Sequence, residues 1–258
     1  MMRKPNLKIF ITSLILLLCL HFTTTKLNAQ QAYKIDEINN PRCDLSEVPP
    51  IDPPPYGKFA TTLRDNPEFR GAIVVYGLQG KALRYAKDVR ERFNNVAGIA
   101  KERLAPIYGG YVEGLRMELW VIPKGAAEPK FNSVEDAKSA RKFDTYIYLN
   151  DECNGGRSSA LTEFAEALKK QLGWQGYIII HPHTNRRINT DDPTGFISRQ
   201  QALRRVVKDK TYLIRKYGID STRLKAVVGD NDKWTYAELW LVPPGAEPPM
   251  AKSSIKGR

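Results

Sequence analysis

Two hydrophobic periods alternate along the C-terminal half of the chain. Phe143 to Leu149 is rich in β-branched and aromatic residues and predicts a strand. Asn154-Gly155-Gly156 breaks it. Leu161, Phe164, Ala165, Leu168 and Leu172 then recur at the spacing of one helix face. Tyr177 to Ile180 is a short, continuously apolar run, the pattern of a covered or central strand. Ser198 followed by Gln201 forms a capping-box pattern. It opens a second helix with Leu203, Val206, Val207, Leu213, Ile214 and Tyr217 expected inward, and Gly218 ends it. Leu224 to Val228 and Tyr236 to Val242 predict two further strands. The order is β-α-β-α-β-β.

The same pattern precedes it. Glu238-Leu239-Trp240-Leu241-Val242-Pro243-Pro244-Gly245-Ala246 repeats Glu118-Leu119-Trp120-Val121-Ile122-Pro123-Lys124-Gly125-Ala126, 120 residues earlier. Upstream at the same offset, Ala82-Leu83-Arg84 recurs as Ala202-Leu203-Arg204, and Arg103-Leu104 as Arg223-Leu224. Phe59, Ala60 and Leu63 match Phe164, Ala165 and Leu168 at an offset of 105. The second copy therefore carries 15 extra residues between its middle strand and second helix. Fixed-offset identity of this length marks a tandem duplication. The expected class is α+β. The first unit is expected over 58–130 and the second over 143–249, with a basic tail over 250–258. Residues 30–57, with Pro49-Pro50-Ile51-Asp52-Pro53-Pro54-Pro55, read as a proline-rich leader; Tyr33-Lys34-Ile35 is a candidate short edge strand.

Charge and the N-terminus narrow the setting. Arg3, Lys4 and Lys8 precede an apolar run from Ile9 to Leu20, and Leu27-Asn28-Ala29 offers a cleavage site. Residues 1–29 are expected to be a signal peptide, the alternative being an uncleaved anchor. No transmembrane span is expected after cleavage. The whole chain has a formal charge of +12, and 36 basic against 28 acidic residues remain beyond residue 29. That excess favours anionic partners. Export ranks envelope polymers above nucleic acid, which is not expected as a partner. Cys43 and Cys153 are the two cysteines left after cleavage. Their even count in an oxidising compartment permits one disulfide; the alternative is two free thiols.

Together these features resemble the OmpA-like domain, the peptidoglycan-binding C-terminal module of outer-membrane proteins. The resemblance rests on a helix leading into an apolar strand, a basic helix ending in Gly-Ile, an Arg-Leu strand, and a last strand with Glu after an apolar residue. It implies two tandem units, each a mixed sheet with helices packed on one face. It also implies a periplasmic or outer-membrane-associated protein that binds or scaffolds, in contact with peptidoglycan or another anionic envelope polymer. The alternative is a protein-interaction or structural module with an envelope protein partner. The family grips a stem peptide with an Asp after the middle strand and an Arg on the second helix. Here Asn185 stands at the Asp position. Aligned from the helix start, Gln201 replaces the Arg; aligned from the helix end, Arg205 takes that place. The ligand-binding candidates are thus Asn185, Arg204 and Arg205.

Glu118 and Glu238 sit inside apolar strands and need partners if buried. The repeated arginines are Arg84 with Arg103 and Arg204 with Arg223, so each Glu is expected to pair with one of them. His181 and His183, with Asp191 and Asp192 downstream, form too thin a set for a metal site. No metal or other cofactor is expected. The chain lacks His-Glu-x-x-His, Gly-x-Ser-x-Gly and phosphate-loop motifs, and no enzymatic activity is expected.

Overall fold

The computed structural model describes residues 31–39, 41, 56–131, 138–147, 156–183 and 197–249. The expected signal peptide, Cys43, Cys153, Asn185, Asp191, Asp192 and the basic tail lie outside the described residues. The fold is α+β, with two four-stranded mixed sheets and four α-helices among the described residues.

In the first unit the elements are β1 (Tyr33–Asn39), α1 (Tyr56–Asp65), β2 (Arg70–Tyr76), α2 (Gln79–Ala97), β3 (Leu104–Gly110) and β4 (Arg116–Ile122). The second repeats them as β5 (Arg141–Ile147), α3 (Gly156–Lys170), β6 (Gln175–His181), α4 (Arg199–Tyr217), β7 (Leu224–Val228) and β8 (Tyr236–Val242). The sheet orders are β1-β4-β2-β3 and β5-β8-β6-β7. The last strand of each unit is central and antiparallel to both neighbours, while the remaining pair is parallel. The short candidate strand at Tyr33 runs on to Asn39 and pairs with β4, so the first sheet takes its edge strand from within residues 30–57.

Alternation across β4 explains the two faces. Met117, Leu119 and Val121 point into the core beneath α1 and α2. Glu118, Trp120 and Ile122 alternate with them, with Trp120 and Ile122 among a smaller apolar cluster that includes Ala72 and Val74. In the second unit Ala237, Leu239 and Leu241 take the core positions beneath α3 and α4. Gly98 and Gly218 end α2 and α4 in the left-handed conformation, both at φ 68°, where a side chain would be strained. The Ser198–Gln201 capping box forms as the spacing indicates. Leu203 and Val207, expected inward, are instead 48% and 46% exposed. Buried Ala202, Val206, Asp209 and Leu213 are the positions that α4 turns inward, leaving Leu203 and Val207 on another side.

Arg103 and Arg223 do not reach the glutamates. Each caps the helix that opens its own unit. Arg223 donates from Nε to Trp174 O (2.9 Å) and from Nη2 to Leu168 O (2.7 Å) and Gln171 O (2.9 Å). Arg103 does the same to Phe69, Leu63 and Asn66. Helix C-termini leave carbonyls without partners inside the helix, and a cation there also meets the negative end of the helix dipole. The Arg-Leu repeat is thus a capping device. Arg223→Ala should lower unfolding free energy by about 3 kcal/mol, because several carbonyls lose a charged donor together. Urea unfolding measures this, and Arg103→Ala should match it.

Candidate functional site

The units meet through α2 of the first and α3 and β5 of the second. Arg84 on α2 pairs with Asp144 on β5, both buried, and Lys87 reaches Glu163 on α3 at 2.6 Å. Gly80 permits this approach; a Cβ there would collide with Asp144 and Phe143. Beside this contact the units part around a cleft of about 830 Å³. Tyr108 and Tyr111 line it from the first unit and Trp240 from the second. Lys81, Arg141 and Lys142 bring positive charge to its wall, which carries no carboxylate among its lining residues. Tyr111 is 71% exposed, so its ring is open to contact from the cleft.

Burial lowers the pKa of the Arg141 guanidinium from its ordinary value, and the ring of Trp174 lies 4.9 Å beneath it. Lys142 spans two settings. It lines the cleft, lies 5.5 Å from the Trp240 ring centre, and pairs with Glu238 at 2.5 Å.

Glu238 centres a cluster on the sheet face away from the helices. It accepts from Trp240 Nε1 at 2.8 Å, and His181 Nε2 lies 3.7 Å away, an ion-pair separation longer than a hydrogen bond. The His181 ring stacks on Tyr236 with centroids 4.7 Å apart. Glu118 holds the same place in the first unit. It accepts from Trp120 Nε1 at 2.9 Å and from Tyr76 at 3.0 Å, with Lys34 at 3.5 Å and Arg116 at 3.9 Å. The expected pairing of these glutamates with Arg84, Arg103, Arg204 or Arg223 is therefore corrected. Both carboxylates are on the sheet face opposite the helices, whereas Arg84 and Arg204 ride on helices and Arg103 and Arg223 cap them. Lys34 and Lys142 are the true edge-strand partners. They stand opposite Trp120 and Trp240 in matching registers, an equivalence that the sequence repeat does not reveal because β1 lies upstream of its span.

His183 is buried, its Nδ1 2.9 Å from Asp232 O, and His181 Nδ1 is 3.2 Å from Asp230 O. The two histidines thus fasten the end of β6 to the β7–β8 turn. Among the described residues, no group of three or more His, Cys, Asp or Glu could hold a metal ion. Arg204 is exposed and Arg205 half-buried on α4, away from the cleft lining. Among the described residues no helix is long and apolar enough to cross a membrane. Comparison of the chain with family models, with curated proteins and with solved structures finds no match.

Titration of the His181–Glu238 pair is testable. Burial works to raise the Glu238 pKa, but His181, Lys142 and Trp240 together draw it down to about 2. Burial likewise opposes the imidazolium, yet Glu238 and the Asp230 carbonyl raise His181 above 6.5. The Glu238 contribution is complete above about pH 4.5 and is lost as pH falls toward 2. The His181 contribution is complete below about pH 6.5 and is lost as pH rises through its folded-state pKa. Melting temperature should therefore decline from about pH 6 to pH 9, and His181→Asn should flatten that decline while leaving the acid limb in place. A wild-type curve with no slope across neutral pH would rule out the pair.

Proposed function

We propose that this is an exported, non-enzymatic envelope protein whose two OmpA-like units bind an anionic wall polymer in the cleft between them. The cleft is the observation that carries this reading. Aromatic faces pack against sugar rings, and lysine and arginine attract the carboxylates that wall peptides present. Tyr108, Tyr111 and Trp240 supply the first chemistry, and Lys81, Arg141 and Lys142 the second. The β-α-β-α-β-β order of each unit and the net positive charge support the same reading. Peptidoglycan is the polymer the resemblance favours, at a periplasmic or outer-membrane-associated location.

This moves the binding candidate from Arg204 and Arg205 to the cleft. Asn185 lies outside the described residues, and the two arginines stand apart from the aromatic side chains that a glycan contact needs. The alternative is a module that holds another envelope protein, and the exposed apolar residues of α4 favour it.

The test is retention on purified peptidoglycan sacculi. Wild type should be retained at about 50 mM salt and released near 0.5 M, where the Debye length shrinks to a few ångströms. Lys81→Glu with Tyr111→Ala should lose about tenfold of the retention, while Arg204→Ala with Arg205→Ala keeps it. Loss in the arginine variant alone would place the contact on α4. Failure of folded wild type to be retained at any salt would leave the protein-partner reading.

A further inference from the structure

The junction between the units is built from unlike surfaces. Among the described residues, α2 of the first unit packs against β5 and α3 of the second, with no comparable packing of α4 against β1 or α1. A contact of this kind leaves one copy of each surface unused. The duplication identifies both. The counterpart of Arg84 on α4 is Arg204, 120 residues on, and the counterpart of Asp144 on β1 is Asp36, the two aspartates each following the same strand bulge. Arg84 and Asp144 are buried against each other. Arg204 and Asp36 make no ion pair among the described residues. Around Arg204, Leu203 and Val207 stand about half exposed one turn apart, an apolar pair left partly uncovered among the described residues.

We infer that α4 of one molecule docks on the β1–α1 side of a second copy, with Arg204 meeting Asp36 as Arg84 meets Asp144 within the chain. The occupant is a second copy because the complementary surface, with the complementary charge, is present on every molecule. The repeat is not perfect. Gln200 stands where Gly80 allows the closest approach, so the copies lie farther apart than the units do. The second ion pair, Lys87 with Glu163, is replaced by Val207 over the stem of Lys58. The external contact is therefore weaker than the internal one, with a dissociation constant on the order of 100 μM. Because the two surfaces differ, association does not stop at a dimer by symmetry; it continues into a short chain or closes into a ring. This inference is independent of what the cleft binds.

Sedimentation velocity of the purified protein, from about 5 μM to 1 mM, tests it. Wild type should shift to larger species with rising concentration. Arg204→Glu and Asp36→Arg should each remain monomeric while keeping the wild-type circular dichroism spectrum. Mixing the two variants should restore association, since each reversed charge then faces its opposite. A wild type that stays monomeric throughout overturns the inference. So does association that either reversal leaves unchanged, or a mixture of two folded variants that stays monomeric. Retention on sacculi by a protein that never self-associates would leave the cleft reading standing and remove this one alone.

Discussion

A guanidinium and a carboxylate taken out of water must stay together, and Arg84 and Asp144 do so across the boundary between the two units. Removing either strands a buried charge, so the pair holds the units in one relative placement. Gly80 is the steric condition for it, because any side chain there would intrude on Asp144 and Phe143. The cleft is a product of that placement. Its aromatic wall is split between units, with Tyr108 and Tyr111 on one side and Trp240 on the other. Each unit contributes rings and a cation, and only their placement turns these two half-sites toward one opening.

Within each unit the organising feature is the central last strand. One face of it is sealed by two helices, and the alternate positions face away from them. A carboxylate buried on that second face requires cationic company, and an edge-strand lysine supplies it in both copies. The copies then diverge. Tyr76 and Arg116 surround Glu118, whereas His181 and Tyr236 surround Glu238. Only the second cluster contains an imidazole, whose protonated form Glu238 and the Asp230 carbonyl favour.

Much of the fold was legible in the sequence because its signals are local. The spacing of Leu161, Phe164, Ala165 and Leu168, the Ser198–Gln201 box and the two terminal glycines each specify an element by themselves. β7 and β8 have the bounds that their apolar runs indicate. The glutamate partners were not legible. Repetition showed which arginines matter, but not that Arg103 and Arg223 matter to helix carbonyls. Which face of a sheet a helix covers is a tertiary fact, and it decided the pairing. The cleft was less legible still, since its residues come from separate segments with no spacing in common. Trp240 lies within an apolar strand pattern, which does not show that it borders the opening.

Asp209 on α4 is buried, accepts from Tyr146 of β5 at 2.5 Å, and pairs with Arg157 of α3. The equivalent positions in the first unit are Val89 and Ile38, which pack as hydrocarbon. Two adjacent units of one ancestry are exposed to a particular hazard during folding: a helix of one laying itself on the sheet of the other. Here such an exchange is penalised in both directions. α4 on the first sheet would press the Asp209 carboxylate against Ile38, and α2 on the second would leave the Tyr146 hydroxyl and Arg157 facing Val89. A single polar triad in one copy thus makes the two helix–sheet pairings chemically unlike, since either exchange would bury a polar group away from its partner.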